Sequence, residues 1–189
     1  MPMPLTLPLR SLALTMALST ALALAAIPTG QARPWKPSPE ALAQDYLMLS
    51  HKRSTAESVQ VLWVAPPMLP RNDQSNTARE VLEDYILLAV IHANTQSTGM
   101  MDFVPVANLT LRTLDGTVLQ PLDRESLPPT TAGILTVFEQ VFTRNLGPLG
   151  RGTHWFVFDG KAVPSCGKGG FVVPYAGEEY LYETPVPGC

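Results

Sequence analysis

The chain is poor in the residues from which the commonest catalytic and metal sites are built. Among 189 residues it has two cysteines, Cys166 and Cys189, and three histidines, His51, His92 and His154. No two histidines lie three or four positions apart, and Gly-x-Ser-x-Gly, His-Glu-x-x-His and Walker motifs are absent. These absences exclude the common signatures of serine hydrolases, zinc proteases and P-loop nucleotide-binding proteins.

Positive charge and long apolar runs are also scarce. The chain has 13 Lys and Arg against 16 Asp and Glu, and the basic residues form no block. A partner made of nucleic acid is therefore not expected. Only the N-terminal region holds a long apolar run, so no membrane span is expected once that region has been removed.

Residues 1–32 have the layout of a secretory signal peptide. Arg10 is the only charge before Arg33, and an apolar, helix-forming run follows it over residues 11–27. Pro28 then breaks the run. Small residues occupy the −3 and −1 positions of a cleavage site before Arg33, and these are Gly30 and Ala32.

The pattern predicts cleavage after Ala32 and a single domain over residues 33–189, in the periplasm or secreted. A cut after Ala25 or Ala26 and an uncleaved N-terminal anchor remain alternatives. In an oxidising compartment, an even pair of cysteines is most simply a disulfide, here Cys166–Cys189. An intermolecular bridge or a free thiol would be the alternatives.

Two helices are predicted from the spacing of apolar residues. The first covers residues 39–50, where Ser38 and Pro39 suit a helix start. The second covers residues 132–146 and ends before Gly147. The apolar positions that define the two helices are Leu42, Tyr46 and Leu49 in the first, and Ile134, Val137, Phe138, Val141 and Phe142 in the second. The five positions of the second helix share one face, which is predicted to pack on the sheet as core.

Most of the remaining chain is typical of short antiparallel strands with turns between them. Residues 77–94 combine a capping-box signal at Thr77–Glu80 with a run that is apolar on every side, which fits either a central strand or a buried helix. We predict a short helical turn over 78–83 and a strand over 85–94. Two runs around Asp115-Gly116 indicate a β-hairpin. The other predicted strands are 59–64, 101–106, 154–158, 171–175 and 179–183.

These elements predict a mainly β fold, an antiparallel sandwich with two added helices. Four stretches, 84–94, 109–122, 155–160 and 173–180, are similar in style to exported bacterial immunoglobulin-like domains. The resemblance implies a sandwich of that kind and transfers no catalytic residue. The Cys–Trp–Cys spacing of antibody domains is absent, which excludes a true antibody-type domain.

The most credible binding surface is an acidic, aromatic patch near the C-terminus. Tyr and Trp are favoured at interfaces. The patch comprises Tyr175, Glu178, Glu179, Tyr180, Tyr182 and Glu183. It favours an exported, non-enzymatic binding or accessory module without a cofactor, whose partner is a protein or a carbohydrate.

Two other functions stay open. A small exported hydrolase would need His92 or His154 as its base, although no local spacing pairs either with a nucleophile. A copper-binding periplasmic protein could use soft or borderline ligands on neighbouring strands. The weak metal candidates are His92, Met100, Met101 and His154.

Overall fold

The computed structural model describes residues 47–52 and 56–186, which all belong to one compact unit. The described chain is mainly β, with helices inserted between strands. The strands are β1 Leu47–Lys52, β2 Glu57–Val64, β3 Tyr85–Thr95, β4 Met101–Phe103, β5 Leu111–Thr113, β6 Val118–Leu119, β7 Thr153–Asp159, β8 Gly169–Tyr175 and β9 Glu178–Thr184. The α-helices are α1 Asp73–Asp84, α2 Pro129–Leu146 and α3 Pro148–Arg151.

The strands form two antiparallel sheets. Sheet A has the order β1-β2-β3-β4, and β7 pairs with β3 on the part of that strand that β4 leaves open. Sheet B has the order β6-β5-β8-β9. The predicted hairpin around Asp115-Gly116 is confirmed, because Leu111 lies opposite Leu119. The architecture is thus two antiparallel sheets with added helices, as the sequence predicts at this coarse level.

The ambiguous region before and within β3 divides between helix and strand as predicted, but the helix is longer. It starts at Asp73, where the Asn72 side chain accepts a hydrogen bond of 3.0 Å from the backbone N–H of Ser75. This N-cap lies upstream of the Thr77–Glu80 capping-box signal. The apolar run from Tyr85 is the central strand of sheet A, paired on both sides.

The prediction of a helix over residues 39–50 is wrong where the structure describes it. Residues 47–52 form β1, and Leu47 pairs with Leu62 of β2. Residues 39–46 lie outside the described residues. Pairing with the open edge of β2 satisfies a full row of backbone groups, and such tertiary pairing overrides a short helical pattern.

Sheet A is covered on both of its faces. Side chains from one face, such as Trp63 and Val90, form a core with Phe171 and Tyr182 of sheet B. On the other face, Leu87 and Val157 pack with apolar residues of α1 and α2. Among residues 47–52 and 56–186, sheet B is covered on its inner face, by sheet A, and no described element covers its outer face.

The predicted second helix is confirmed, and it extends over residues 129–146, but its apolar face is rotated from the prediction. Leu135 is buried, and Phe138 and Phe142 contact Trp155 of β7. Val137 and Val141 are 53% and 45% exposed, so their prediction as core residues is wrong. The helix packs against α1 and β7 along a narrow stripe that includes Thr131 and Leu135.

The turn from α2 into α3 requires glycine at position 150. Gly150 is buried, and a Cβ there would clash with the backbone carbonyl of Phe142. We expect Gly150→Ala to lower the free energy of unfolding by about 1–3 kcal/mol. Gly133→Ala is the matched control, because nothing lies within 4 Å of its Cβ position. In urea denaturation, Gly133→Ala should raise the free energy of unfolding by roughly 0.5–1 kcal/mol. Equal effects of the two changes would contradict the steric argument.

Candidate functional site

The predicted acidic, aromatic patch divides between the two sides of β9. Tyr180 and Tyr182 are 5% and 1% exposed and belong to the core. Glu179 and Glu183 lie on the opposite side and are exposed. Successive side chains of a strand point to opposite faces, so a contiguous sequence patch cannot form one surface. The assignment of the two tyrosines to a binding surface is therefore wrong.

Tyr182 ties the two sheets together from within the core. Its hydroxyl donates a hydrogen bond of 2.8 Å to the carbonyl of Val61 on β2. Its ring stacks on Phe171 with the centroids 5.0 Å apart. Burial raises the pKa of Tyr182 far above its ordinary value. The phenol therefore stays neutral and serves as a structural donor.

Tyr175 has a different environment, because it joins a polar network at one end of the two sheets. The hydroxyl of Tyr175 lies 2.8 Å from His92 Nδ1, and His92 Nε2 lies 2.8 Å from Glu57 Oε1. The three residues come from β8, β3 and β2, so the network links sheet B to both central strands of sheet A. His92 is only 8% exposed.

The hydrogen-bond chemistry assigns the roles in this network. The Glu57 carboxylate can only accept, so His92 Nε2 must donate to it. In the neutral imidazole Nδ1 is then an acceptor, and the Tyr175 hydroxyl donates to it. If the ring is protonated, Nδ1–H donates to the phenol oxygen instead. Both contacts are therefore kept in either protonation state of His92.

This arrangement holds a proton chain but does not activate Tyr175 as a nucleophile. Burial, and secondarily the negative charge of Glu57, raise the pKa of Tyr175 above its ordinary value. A nucleophilic phenol would need the opposite shift. The network is therefore best described as a hydrogen-bonded tie between the sheets.

We expect Tyr175→Phe to lower the free energy of unfolding by about 1 kcal/mol, because it removes one hydrogen bond to a buried histidine. Tyr85→Phe, at another half-buried tyrosine, is the matched control and should change stability by less than about 0.5 kcal/mol. Chemical denaturation followed by circular dichroism measures both. A neutral Tyr175→Phe would mean that the contact with His92 contributes nothing.

The methionine candidates Met100 and Met101 are not placed with His92 as ligands. His92 has protein partners on both ring nitrogens, on opposite sides of the ring. Met101 lies opposite Thr95 of β3. Because side chains alternate along a strand, Thr95 and His92 lie on opposite faces of the sheet, and Met101 shares the face of Thr95. Met100 is 59% exposed, outside the strand. Within the described ranges no three His, Cys, Asp or Glu side chains are grouped to hold a metal ion.

His154 lies on β7, opposite Val90, and is half-buried. Burial lowers its pKa below the ordinary value of 6.5. A base whose folded pKa is depressed stabilises the fold above its unfolded pKa, and that contribution is lost as the pH falls through the folded value. His154 should therefore make the protein less stable in mild acid.

We expect His154→Gln to flatten the dependence of unfolding free energy on pH below about 6.5. Urea midpoints at several pH values between neutrality and mild acid measure this slope for both proteins. The same slope in the variant and the natural chain would show that His154 is not the group responsible.

The predicted disulfide partner Cys189 lies outside the described residues, so the Cys166–Cys189 bond stays a prediction. The nearest described part of the tail runs past the loop that holds Cys166. The backbone N–H of Val186 donates to the carbonyl of Ser165 at 2.8 Å. Val186 is also buried in the core, which fixes the tail at this position.

The remaining surface of note is the outer face of sheet B, of which the predicted patch contains only Glu179 and Glu183. It consists of Arg112, Leu114, Val118, Val172, Pro174, Glu179, Leu181 and Glu183. The register places Val118, Arg112, Val172 and Leu181 in one row across all four strands. Alternation along Leu109–Leu114 and Glu179–Glu183 is visible in the sequence, but it does not say which side is covered.

Several aliphatic side chains of this face are exposed. Leu114, Val118 and Leu181 are 57%, 55% and 44% exposed. Arg112 crosses the face and pairs with Glu179 at 2.9 Å. The face therefore holds aliphatic side chains with Arg112 between Val118 and Val172, and carboxylates along β9. No protein-family model, curated protein or solved structure matches this chain.

Proposed function

We propose that the chain is an exported, non-enzymatic binding module that binds a protein through the outer face of sheet B. The observation that carries the proposal is the difference between the sheets. Sheet A is buried on both faces, whereas the outer face of sheet B holds exposed aliphatic side chains at Val118 on β6, at Leu181 on β9 and at Leu114 beside β5. Contiguous exposed apolar surface is typical of interaction sites.

The chemistry of this face favours a protein over a carbohydrate. Sugar-binding surfaces commonly present aromatic rings, whose flat apolar bodies also carry polar edges. The tyrosines that suggested a carbohydrate partner, Tyr180 and Tyr182, are in the core. Leucine and valine side chains instead match an apolar protein surface.

The scaffold proposed for this module is an immunoglobulin-like sandwich. Two antiparallel sheets that share one core support a sandwich, and the resemblance of the four sequence stretches supports the immunoglobulin-like kind.

Among the described residues no helix is both long and apolar enough to cross a bilayer.

Export is proposed from residues 1–32, which lie outside the described residues. Intact-mass analysis of the protein from the export compartment should give the mass of residues 33–189. Recovery of a chain that retains residues 1–25 would contradict cleavage.

Site-specific photo-crosslinking in the exporting cell tests the binding face. A benzophenone amino acid at Val118 should give a discrete protein adduct, and the same probe at Val137 should not. The two positions are 55% and 53% exposed, so they are matched for access. Adding Leu181→Ser to the Val118 probe chain should remove the adduct. Equal adducts from both positions, or none from Val118, would contradict the proposal.

A small exported hydrolase is the second candidate, and one observation favours it. The Tyr175–His92–Glu57 hydrogen bonds follow the order of hydroxyl, imidazole and carboxylate seen in catalytic triads. The raised pKa of Tyr175 argues against it. Turnover of an ester, glycoside, peptide or amide substrate that His92→Gln abolishes would replace the binding proposal with this one.

A further inference from the structure

The outer face of sheet B is too small for a standard rigid interface between two globular proteins. Four strands spaced about 4.8 Å apart give a width of about 15–19 Å. With a similar length along β8 and β9, the face covers on the order of 300 Å², against about 800 Å² on each partner in a standard interface. A single secondary-structure element of a partner would cover it.

The fold itself indicates which kind of element packs well on such a sheet. The outer side of sheet A is covered by helices α1 and α2, which bury Leu82 and Leu135 against it. An α-helix with its side chains is about 10–12 Å across. A helix of about 14 residues, some 21 Å long, would match the row from Val118 to Leu181.

The charges of the face select the residues at the end of that helix that lies on β9. Leu181 lies between Glu179 and Glu183 on the exposed side of β9, and Glu178 is exposed at the start of the strand. Arg112 is the only basic residue on the four strands. Its guanidinium is already paired with Glu179. The β9 border is therefore acidic.

We infer that the outer face of sheet B binds an amphipathic helix of a partner protein, with an apolar stripe on Val118, Val172 and Leu181 and lysine or arginine facing β9. Opposite charge across the border favours this partner. A second copy of this chain would bring the same acidic border, which disfavours self-association. The inference rests on the proposed function and adds the chemistry of the partner.

The test uses two synthetic helical peptides as probes, with leucine at the same helical positions and with either lysine or glutamate at all others. Binding to the mature protein is measured by fluorescence anisotropy, and the site by amide chemical shifts. The lysine peptide should bind saturably and shift the amides of β5, β8 and β9. The glutamate peptide should bind at least about tenfold more weakly.

Variants separate the apolar from the ionic part of the recognition. Leu181→Ser should weaken binding of the lysine peptide about tenfold, and Val137→Ser, at an exposed valine on α2, should leave it unchanged. The double variant Glu179→Gln and Glu183→Gln should reduce the preference for lysine over glutamate, whereas Glu80→Gln on α1 should not.

Each of the remaining outcomes would overturn one named part of the inference. Equal binding of the two peptides, sensitive to Leu181→Ser, would overturn the basic partner while the binding face stands. Equal weakening by Val137→Ser, shifts confined to α2, or no saturable binding of the lysine peptide would overturn the helix-docking inference. The crosslinking result at Val118 is independent of both peptides, so failure of the proposed function is recognised separately.

Discussion

Trp63→Ala should lower the free energy of unfolding by about 3–5 kcal/mol. Trp63 is 2% exposed on β2 and makes edge contacts with Phe171 at 4.9 Å and Tyr182 at 6.0 Å between ring centroids. These rings come from sheet A and from both long strands of sheet B. Removal of the indole would leave a cavity at the centre of the shared core, which stiff strands on either side cannot fill.

Urea denaturation followed by far-ultraviolet circular dichroism measures this loss. Trp155→Ala is the matched control, because Trp155 is only half-buried, where it packs beside Phe138 and Phe142 of α2. The control should cost clearly less than Trp63→Ala. A loss below about 1 kcal/mol for Trp63→Ala would mean that the two sheets are not held by this aromatic cluster.

The same cluster connects the core to the proposed function. Phe171 and Tyr182 are inward neighbours of Val172 and Leu181, which lie on the outer face of sheet B. If Trp63 is lost, the strands that display the outer face lose their support. We therefore expect peptide binding to fall with Trp63→Ala even at temperatures where the chain remains folded.

The strands were predictable where local chemistry decides them. The β-branched and aromatic run of β2 and the Asp115-Gly116 hairpin each specify an extended chain without knowledge of distant neighbours. The apolar run of β3 also fits a buried helix, and its place between β2 and β7 makes it a strand. The edge strand β1 was not predictable, because Leu42, Tyr46 and Leu49 have helical spacing. Only the open side of β2, a tertiary feature, makes residues 47–52 a strand.

The candidate site was less predictable than the fold. The alternation of side chains along a strand shows that Tyr180 and Tyr182 share a face. It does not show that this face packs on sheet A. In the polar network, His92 contacts Glu57, which lies 35 positions before it, and Tyr175, which lies 83 positions after it. Its formation depends on how sheet B lies over sheet A, and no local pattern marks Glu57 as a partner of His92.

The exposure of the outer face of sheet B was also not predictable from the sequence. The aliphatic residues Leu114, Val118 and Leu181 resemble ordinary strand residues in the sequence. Their exposure becomes apparent only when the inner face is known to be occupied by sheet A and no described element covers the outer one. The proposed function therefore rests on which faces the described elements leave open, rather than on a motif.

Cys189→Ser should lower the free energy of unfolding by about 2–4 kcal/mol if Cys166 and Cys189 form the predicted disulfide. The bond would close a loop of about 23 residues, which restricts the unfolded chain. Val186, three residues before Cys189, is held against Ser165 by a backbone hydrogen bond of 2.8 Å, so the tail is directed to the loop that holds Cys166. The bond would anchor the end of β9, the strand that borders the proposed binding face.

Three further variants and treatments test this disulfide in oxidised, mature protein. Cys166→Ser should cost as much as Cys189→Ser, and the double variant should cost no more than either, because all three remove the same bond. A reducing agent should lower the stability of the natural chain to that of the variants and leave the variants unchanged. Additive losses, or alkylation of both thiols in the oxidised native protein, would show that the two cysteines are not bonded to each other.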